Sequence, residues 1–466
     1  MAIKFFKTLS RRQESFKPIK DGEVKMYTCG PTVYNFPHIG NYRAYIFEDQ
    51  LRRYLKYCGF RVTQVMNLTD VDDKTIRDSR KEGISLDKFT GRYKKAFFED
   101  LKTLNIEPAE FYPAATDHVG DMVVMIKTLL DKGFAYRSDD GSIYYNVKKF
   151  EDYGKLAHIK LDELRVGARV SQDEYEKEQA QDFALWKAWD EGDGDVFWET
   201  ELGKGRPGWH IECSAMSKHY LGNHFDIHTG GVDNIFPHHE NEIAQSEAAN
   251  GEKFVDYWLH CEHLLVEGKK MSKSLGNFYT LRDLLSKGYD ARAIRYLLLS
   301  THYRTQLNFT FDSLAACDAA VRKINDFVVS LKNWDSGAVF NEKVPRVCER
   351  AKKDFDSGMD DDLNVTVSLA AIFDLMREIN VLMSENKMSN DNRDDILRLV
   401  YMFDSVLGIV DRDDLVLSGE IKDLVADREK ARLGKDWKKA DLLRDKLLGL
   451  GIVVEDSPRG PVCKRK

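Results

Sequence analysis

The chain has 466 residues, 42% hydrophobic and 32% charged, with a formal net charge of −7. That length exceeds one hydrophobic core and predicts about two to four domains. No apolar run is long enough for a membrane-spanning helix, and the acidic total excludes a protein dominated by electrostatic wrapping of nucleic acid. Seven cysteines, an odd number, argue against a disulfide framework. With no apolar secretory stretch in MAIKFFKTLSRRQESFKPIK, the expectation is a cytoplasmic protein.

Residues 24–30 (VKMYTCG) read as a buried strand, 41–58 as a helix and 60–67 (FRVTQVMN) as a second strand. This is one βαβ unit, which implies a parallel sheet with a right-handed crossover. The G-x-G-x-x-G pattern is missing here, so a nicotinamide cofactor is not indicated. Residues 85–105 and 117–133 carry helical periodicity. From about 112 to 204 the pattern turns irregular, with SIYYNV, charged loops and DEGDGD, and reads as an insertion. The sheet resumes with HFDIHTGG and WLHCEHLLV. Beyond 310, apolar periodicity over 312–334, 344–356, 365–383 and 392–408 predicts a helical bundle. MDDDLN sets carboxylates at the start of the third of these helices, where the helix dipole favours them. Residues 420–449 predict one charged helix or a pair, and GIVVEDSPRG a strand and turn, so the chain ends in a small mixed domain. Residues 421–466 hold 13 Lys/Arg against 8 Asp/Glu, a balance of +5 beside −12 for the remainder. A basic end on an acidic body suits local contact with an RNA; a merely solvated basic helix fits the charge equally.

Two short motifs carry the chemistry. PHIGN at 37–41 sets a histidine and a glycine at a strand-to-helix turn, where backbone N–H groups and the helix dipole favour phosphate. KMSKS at 270–274 lies in VEGKKMSKSLGN, a Gly/Ser/Lys-rich loop bearing ammonium groups. Each alone is weak, an ordinary turn and a solvated basic loop being the alternatives. Together they point to chemistry at the α-phosphate of ATP. A third cluster is HHENE: His238 and Glu242 stand at i and i+4 and share a helix face, while His239, turned by about 100°, is expected to point elsewhere. A zinc-protease motif would need histidine at 243, where the chain has Ile243. Cys29, at a strand end, and Cys213, in GWHIECSAM, can complete a Cys/Cys/His/Glu shell for zinc, with ordinary packing as the alternative for each. Cys58, Cys317 and Cys348 fall in helical patterns and are expected in or near the core. Cys463 is expected as a free surface thiol, and Cys261 receives no role.

The blocks YTCGPTVYNFPHIGN, NLTDVDDK, GRPGWHIECSAM, HFDIHTGGVDNIFPHHENEIAQS and KMSKSLGN resemble the cysteinyl-tRNA synthetases, a family within the class I aminoacyl-tRNA synthetases. A looser likeness runs through SGMDDDLNV to GKDWKKADLLRDKL and GIVVEDSPRG, covering nearly the whole chain. The resemblance implies an α/β fold: a class I Rossmann-like catalytic domain in two halves, 1–111 and 205–309, around a connective insertion at 112–204. An α-helical bundle at 310–412 and a small mixed α/β anticodon-binding domain at 413–466 follow. It implies one Zn2+ per chain held by Cys29, Cys213, His238 and Glu242, Mg2+ accompanying ATP, and L-cysteine, ATP and tRNA-Cys as partners of a monomer with no membrane attachment. In ATP binding it implicates His38, Gly40, Asn41, Gly230, Gly231, Asp233 and Lys273, with His38, Asn41, Lys270 and Lys273 serving catalysis. The family usually has histidine where Asn41 stands; asparagine donates a hydrogen bond but carries no proton charge. Thr69, Trp209 and His228 are candidates for closing over the bound cysteine. Arg432, Asp441 and Asp456 fall where the family reads anticodon bases, with Lys438 and Lys439 on phosphate. Trp437 is expected in the core, a stacking face for a base being the alternative.

Two rivals stand beside this reading. A mycothiol-pathway cysteine ligase resembles the same catalytic core but lacks the C-terminal domain. A non-catalytic zinc RNA-binding regulator would have no need of His38, Lys270 and Lys273.

Overall fold

A parallel sheet of four strands in the order Val255–Cys261, Phe225–Gly231, Glu23–Thr28, Arg61–Met66 organises the first part of the molecule. The computed structural model describes residues 2–160, 182–272, 275–411, 419–457 and 460–465. Chain order runs outward from the centre of the sheet on both sides, so the connection reverses between Glu23–Thr28 and Phe225–Gly231. Such a switch point leaves a crevice at the carboxyl ends of the strands, where open α/β sheets bind ligands. The strands are buried on both faces, as a parallel sheet requires. Met26, Tyr27, Ile227 and Leu259 have no exposed surface. Each such side chain contributes roughly 1.5–3 kcal/mol by leaving water.

The helix Ile39–Tyr57 crosses from Glu23–Thr28 to Arg61–Met66. It begins two residues before the predicted start because His38 and Asn41 cap it reciprocally. Three buried arginines fix its position. Arg43 donates to the carbonyls of Leu298, Thr305 and His302 at 2.8, 2.8 and 3.1 Å. Arg295 and Arg53 both pair with the buried carboxylate of Asp49. Removing one partner of such a buried group costs about 3–5 kcal/mol, since the remaining charge is stranded.

The irregular stretch after residue 112 builds a five-stranded antiparallel sheet in the order Ala135–Arg137, Ile143–Tyr145, Phe183–Ala188, Gly203–Pro207, Trp198–Thr200. The helices Val119–Asp131, Trp209–Leu221 and Glu240–Asn250 pack on one another and share its apolar core. Four long helices follow, Phe311–Lys332, Lys343–Asp360, Val365–Ser384 and Asn390–Leu407, within a residue or a few of the predicted spans. The charged stretch resolves into a pair, Gly419–Leu433 and Trp437–Gly449, followed by a hairpin, Ile452–Ser457 with Gly460–Arg465.

Two compact units form: Met1–Asp318 with Lys352–Ile372 and Ser405–Gly408, and Ala319–Ala351 with Phe373–Asp404 and Ile409–Lys466. The second contains a small core of its own made by Leu424, Val425, Leu443, Leu447, Ile452 and Val454. Cys463 is the free thiol expected, but it is half-buried against that core, where its strand turns it toward the helices. Cys58 is the reverse case, exposed because it caps the helix end at Tyr57 and falls off the apolar face. No described helix is long and apolar enough to cross a membrane.

Candidate active site and metal centre

The crevice at the switch point has two ends, a helix start bearing His38 that suits an anion and a cluster of candidate metal ligands. At the first, Asn41 N–H donates to His38 Nδ1 at 3.2 Å and His38 N–H donates to Asn41 Oδ1 at 3.0 Å. Accepting at Nδ1 leaves the His38 proton on Nε2, and burial pulls its pKa down against the opposing pull of Asp233. The ring is therefore a neutral N–H donor at the positive end of a helix dipole. Gly40 keeps this turn open, since a Cβ there would stand 3.0 Å from the His38 ring and 3.6 Å from Met271. The segment after KMSKS folds onto the same turn: Ile39 N–H donates to Tyr279 O at 2.9 Å, and the Phe278 ring sits edge-on to His38 at 5.3 Å. Lys270 is exposed on a two-residue strand, Lys269–Lys270. Lys273 lies outside the described residues.

Strand Phe225–Gly231 joins the two ends. Its last residues, Gly230 and Gly231, lead into a turn carrying Asp233, the carboxylate that acts on His38. A Cβ on Gly230 would come within 2.7 Å of His239, so only glycine lets the strand pass.

At the metal end, one ligand atom each from Cys29, His238, His239 and Glu242 lies within 4.8 Å of all the others. Cys29 Sγ is 3.2 Å from His239 Nε2, and Glu242 Oε1 is 3.1 Å from His238 Nε2 and 3.9 Å from His239 Nε2. The expectation that His239 points elsewhere is therefore wrong. The helix starts only at Glu240, and the preceding residues, Ile235–His239, form a wider turn with Phe236 extended. Measured from Glu242, moreover, His239 and His238 are the i−3 and i−4 positions, and both share its face. Cys213, buried on the helix Trp209–Leu221, reaches Cys29 and stands beside the four.

These donors fit a zinc ion. Burial drives the pKa values of His238 and His239 well below the ordinary value, which leaves the neutral imidazole a metal needs. Glu242 Oε1 is buried and, although 3.1 Å from His238 Nε2, makes no well-aligned hydrogen bond among the described residues. Thiol, imidazole and carboxylate together make a zinc donor set. The far atom of each candidate ligand is also held: Glu242 Oε2 by His228 Nε2 at 2.9 Å, His238 Nδ1 by His210 Nδ1 at 2.9 Å, and His239 Nδ1 by His260 Nε2 at 2.8 Å. Outer partners of this kind orient metal ligands.

Of the cysteine-pocket candidates, Trp209 stacks on His238 at 4.4 Å and 24°. Thr69 donates to Glu212, the residue before Cys213, at 3.0 Å, and burial raises the Glu212 pKa well above the usual range. His228 is fully buried and stacks on Trp258, and it meets the site through Glu242 and through the His239 ring, 4.5 Å away.

In the C-terminal region, Asp456 takes both Arg428 (2.7 and 3.1 Å) and Arg432 (2.7 Å). Asp441 pairs with Arg444 at 3.2 Å. Trp437 is 58% exposed, contrary to the expected burial. It opens its helix directly after the cap Asp436, ahead of the turns that carry the apolar face.

Comparison with known proteins decides the lineage. Residues 15–319 match the family model for the tRNA synthetases class I (C) catalytic domain, 354–411 the DALR domain, and 416–460 the cysteinyl-tRNA ligase anticodon binding domain. The cysteine–tRNA ligase of Protochlamydia amoebophila is 51% identical over 100% of this chain and 98% of its own length. That of Brachyspira hyodysenteriae is 50% identical over 100% and 99%. The chain belongs to the cysteine–tRNA ligase family.

Among solved structures, a Mycobacterium tuberculosis methionyl-tRNA synthetase in complex with methionyl-adenylate aligns at TM-score 0.59, with 15% identity over 83% of this chain and 90% of its own. A ternary complex of an Agrobacterium radiobacter LeuRS aligns at 0.60, with 12% identity over 84% and 85%. At such identity the likeness establishes the class I fold alone. Within this ligase the residues that sequence reading missed are His239, His210 and His260. The first was signalled by its i−3 spacing to Glu242 and the second by its place three residues before Cys213. Nothing local signals His260, which reaches the site because Val255–Cys261 pairs with Phe225–Gly231.

Proposed function

We infer that this protein activates L-cysteine with ATP and transfers it to the terminal adenosine of tRNA-Cys. The observation that carries the reading is the union, at one switch point, of a capped helix start bearing His38 with the group formed by half-buried Cys29 and buried His238 and Glu242. Cys29, Cys213, His238 and Glu242 would hold the zinc. When bound, the ion supplies a partner for the substrate thiolate that the serine hydroxyl, far harder to ionise, cannot match.

His239 serves Cys29 in this proposal. With Cys29 ionised, the row orders itself as Thr8 hydroxyl to His260 Nδ1 (2.7 Å), His260 Nε2–H to His239 Nδ1 (2.8 Å) and His239 Nε2–H to Cys29 Sγ (3.2 Å). The thiolate thus receives a charge-assisted hydrogen bond. Trp209 and Thr69 border the cysteine, and His228 holds Glu242 in place.

In the first step the cysteine carboxylate oxygen attacks the α-phosphorus in line. An O–P bond forms and the bond to pyrophosphate breaks; Mg2+ enters with ATP as part of the substrate. In this reading His38 Nε2–H and the positive end of the Ile39–Tyr57 helix dipole answer the charge that gathers on the phosphate, and Lys270 and Lys273 supply countercharge for the leaving pyrophosphate. Asp233 accepts from the ribose hydroxyls. A ribose hydroxyl of the tRNA then attacks the adenylate carbonyl and AMP departs. Most of the acceleration comes from positioning and prearranged charge.

In the proposed division of labour, 1–111 and 205–309 carry activation, 112–204 is the connective insertion, 310–412 meets the tRNA body, and 413–466 reads the anticodon through Arg432, Asp441 and Asp456. A cytoplasmic monomer is part of the same proposal. A ligase acting on an amino sugar has no use for an anticodon-binding domain, which this chain matches at 416–460. Cysteine-dependent ATP–pyrophosphate exchange followed by charging of tRNA-Cys tests the assignment. Both activities are expected; exchange without charging would favour the amino-sugar ligase, and neither would favour a regulator.

A further inference from the structure

Outside the crevice, His118, Asp121 and His219 bring one ligand atom each within 4.8 Å of one another. His118 Nδ1 is 2.8 Å from Asp121 Oδ2, and His219 Nδ1 approaches the same oxygen to 3.1 Å. The two rings stand edge to face, 4.9 Å apart at 72°. Two imidazole nitrogens thus converge on one carboxylate oxygen, the arrangement that a shared ion and a pair of N–H donors both produce.

We propose that His118, Asp121 and His219 form a second site, for a divalent transition-metal ion of the zinc class. The donor set is two imidazoles and a carboxylate, a set that leaves room for water. Zinc bonds to N and O run about 2.0–2.2 Å, so neighbouring ligands in a tetrahedral shell lie roughly 3.3–3.5 Å apart. The contacts of 2.8 and 3.1 Å are shorter than this by roughly 0.2–0.7 Å, and half-exposed His219 and Asp121 have the freedom to make up the difference. His118 is buried, and its Nε2 lies 3.2 Å from the Tyr220 hydroxyl, which directs Nδ1 at the carboxylate. That is the outer hydrogen bond that metal-binding histidines use to fix their orientation. Asp117 and Asp121 both act on Tyr220, so the surroundings are negative.

The placement gives the site a consequence. His118 precedes the helix Val119–Asp131, and His219 sits in the last turn of the helix Trp209–Leu221, which also carries Cys213. An ion here ties the two helices together on the side facing solvent, without touching any residue of the crevice. Binding is weaker than at a four-ligand buried site.

Protein carrying its tightly held metal is titrated with zinc chloride in a non-chelating buffer, with binding read by calorimetry. The wild type is expected to take up one further equivalent. His219→Ala and Asp121→Asn each lose that equivalent and keep the tight one; Tyr220→Phe keeps it with roughly 10-fold lower affinity. His219 is 47% exposed, so its removal leaves the fold intact and pyrophosphate exchange unchanged. No further equivalent in the wild type, or one that survives in the His219→Ala/Asp121→Asn double variant, overturns the proposal. The count is a difference of one between variants, so it stands or falls separately from the identity of the tight ligands.

Discussion

His38 and Asn41 cap the same helix from both directions, each side chain accepting from the backbone N–H of the other. Asn41 thus supplies the second half of a capping box, and its NH2 group is not committed to the cap. Asn41→Ala should lower stability by about 1 kcal/mol, the ordinary worth of a cap. Asn41→Asp retains the acceptor, so it should melt close to wild type while slowing adenylate formation through the lost donor and the added charge. Denaturant melts and single-turnover activation separate the two effects; an Asn41→Ala protein as stable as wild type would refute the cap.

Glu48 lies on the same helix, fully buried, accepting from the Thr229 hydroxyl at 2.9 Å. Burial raises its pKa from 4.5 to about 8. The folded protein therefore binds a proton that the unfolded chain releases above about 4.5. Stability from this group is fully present below that pH and is lost as pH rises through about 8, with a limiting slope of roughly 1.4 kcal/mol per pH unit. Glu48→Gln keeps an acceptor for Thr229 and removes the titration. The difference in unfolding free energy between wild type and variant should change steadily in the variant's favour from pH 5 to 8; a pH-independent difference would contradict a buried neutral carboxyl.

At the metal end, a single tight zinc is expected, abolished by Cys29→Ser or Cys213→Ser. His239→Ala should retain the ion with affinity lowered roughly 10–100-fold, the cost of losing an outer partner. Metal analysis after dialysis against a graded chelator distinguishes the roles. Complete loss of zinc in His239→Ala, with full retention in Cys213→Ser, would move His239 into the coordination shell in place of Cys213.

In the C-terminal domain, Arg432 shares Asp456 with Arg428, which is nearly buried. This places Arg428 as the structural partner and frees Arg432 to exchange its carboxylate for a base edge. Arg432→Ala should weaken productive tRNA binding by about 1–3 kcal/mol, read as a higher KM in charging, and leave cysteine-dependent exchange untouched. Equal charging by variant and wild type would remove Arg432 from anticodon reading.

Much of this was legible in the sequence because local patterns determine it. The βαβ unit follows from alternating apolar runs, and the position of PHIGN at its turn follows from the unit. The late helices announce themselves by period. The sequence was silent wherever distant strands meet. His260 enters the site through the pairing of Val255–Cys261 with Phe225–Gly231, and Thr8 reaches His260 across 252 residues. The misread residues share another cause. His239, Cys58 and Trp437 all sit at helix ends, where the regular 3.6-residue repeat does not yet apply or has just stopped.

The central claim, that cysteine is chosen by the chemistry of its thiolate, is tested most directly by pyrophosphate exchange with cysteine and with serine on the same preparation. Packing around a small side chain alone discriminates by roughly 10–200-fold. The account predicts a preference in kcat/KM above about 10³-fold, beyond what packing supplies, that collapses when the tight metal is removed. Exchange with serine within about a hundredfold of cysteine, or a preference unchanged in the metal-free protein, would contradict it.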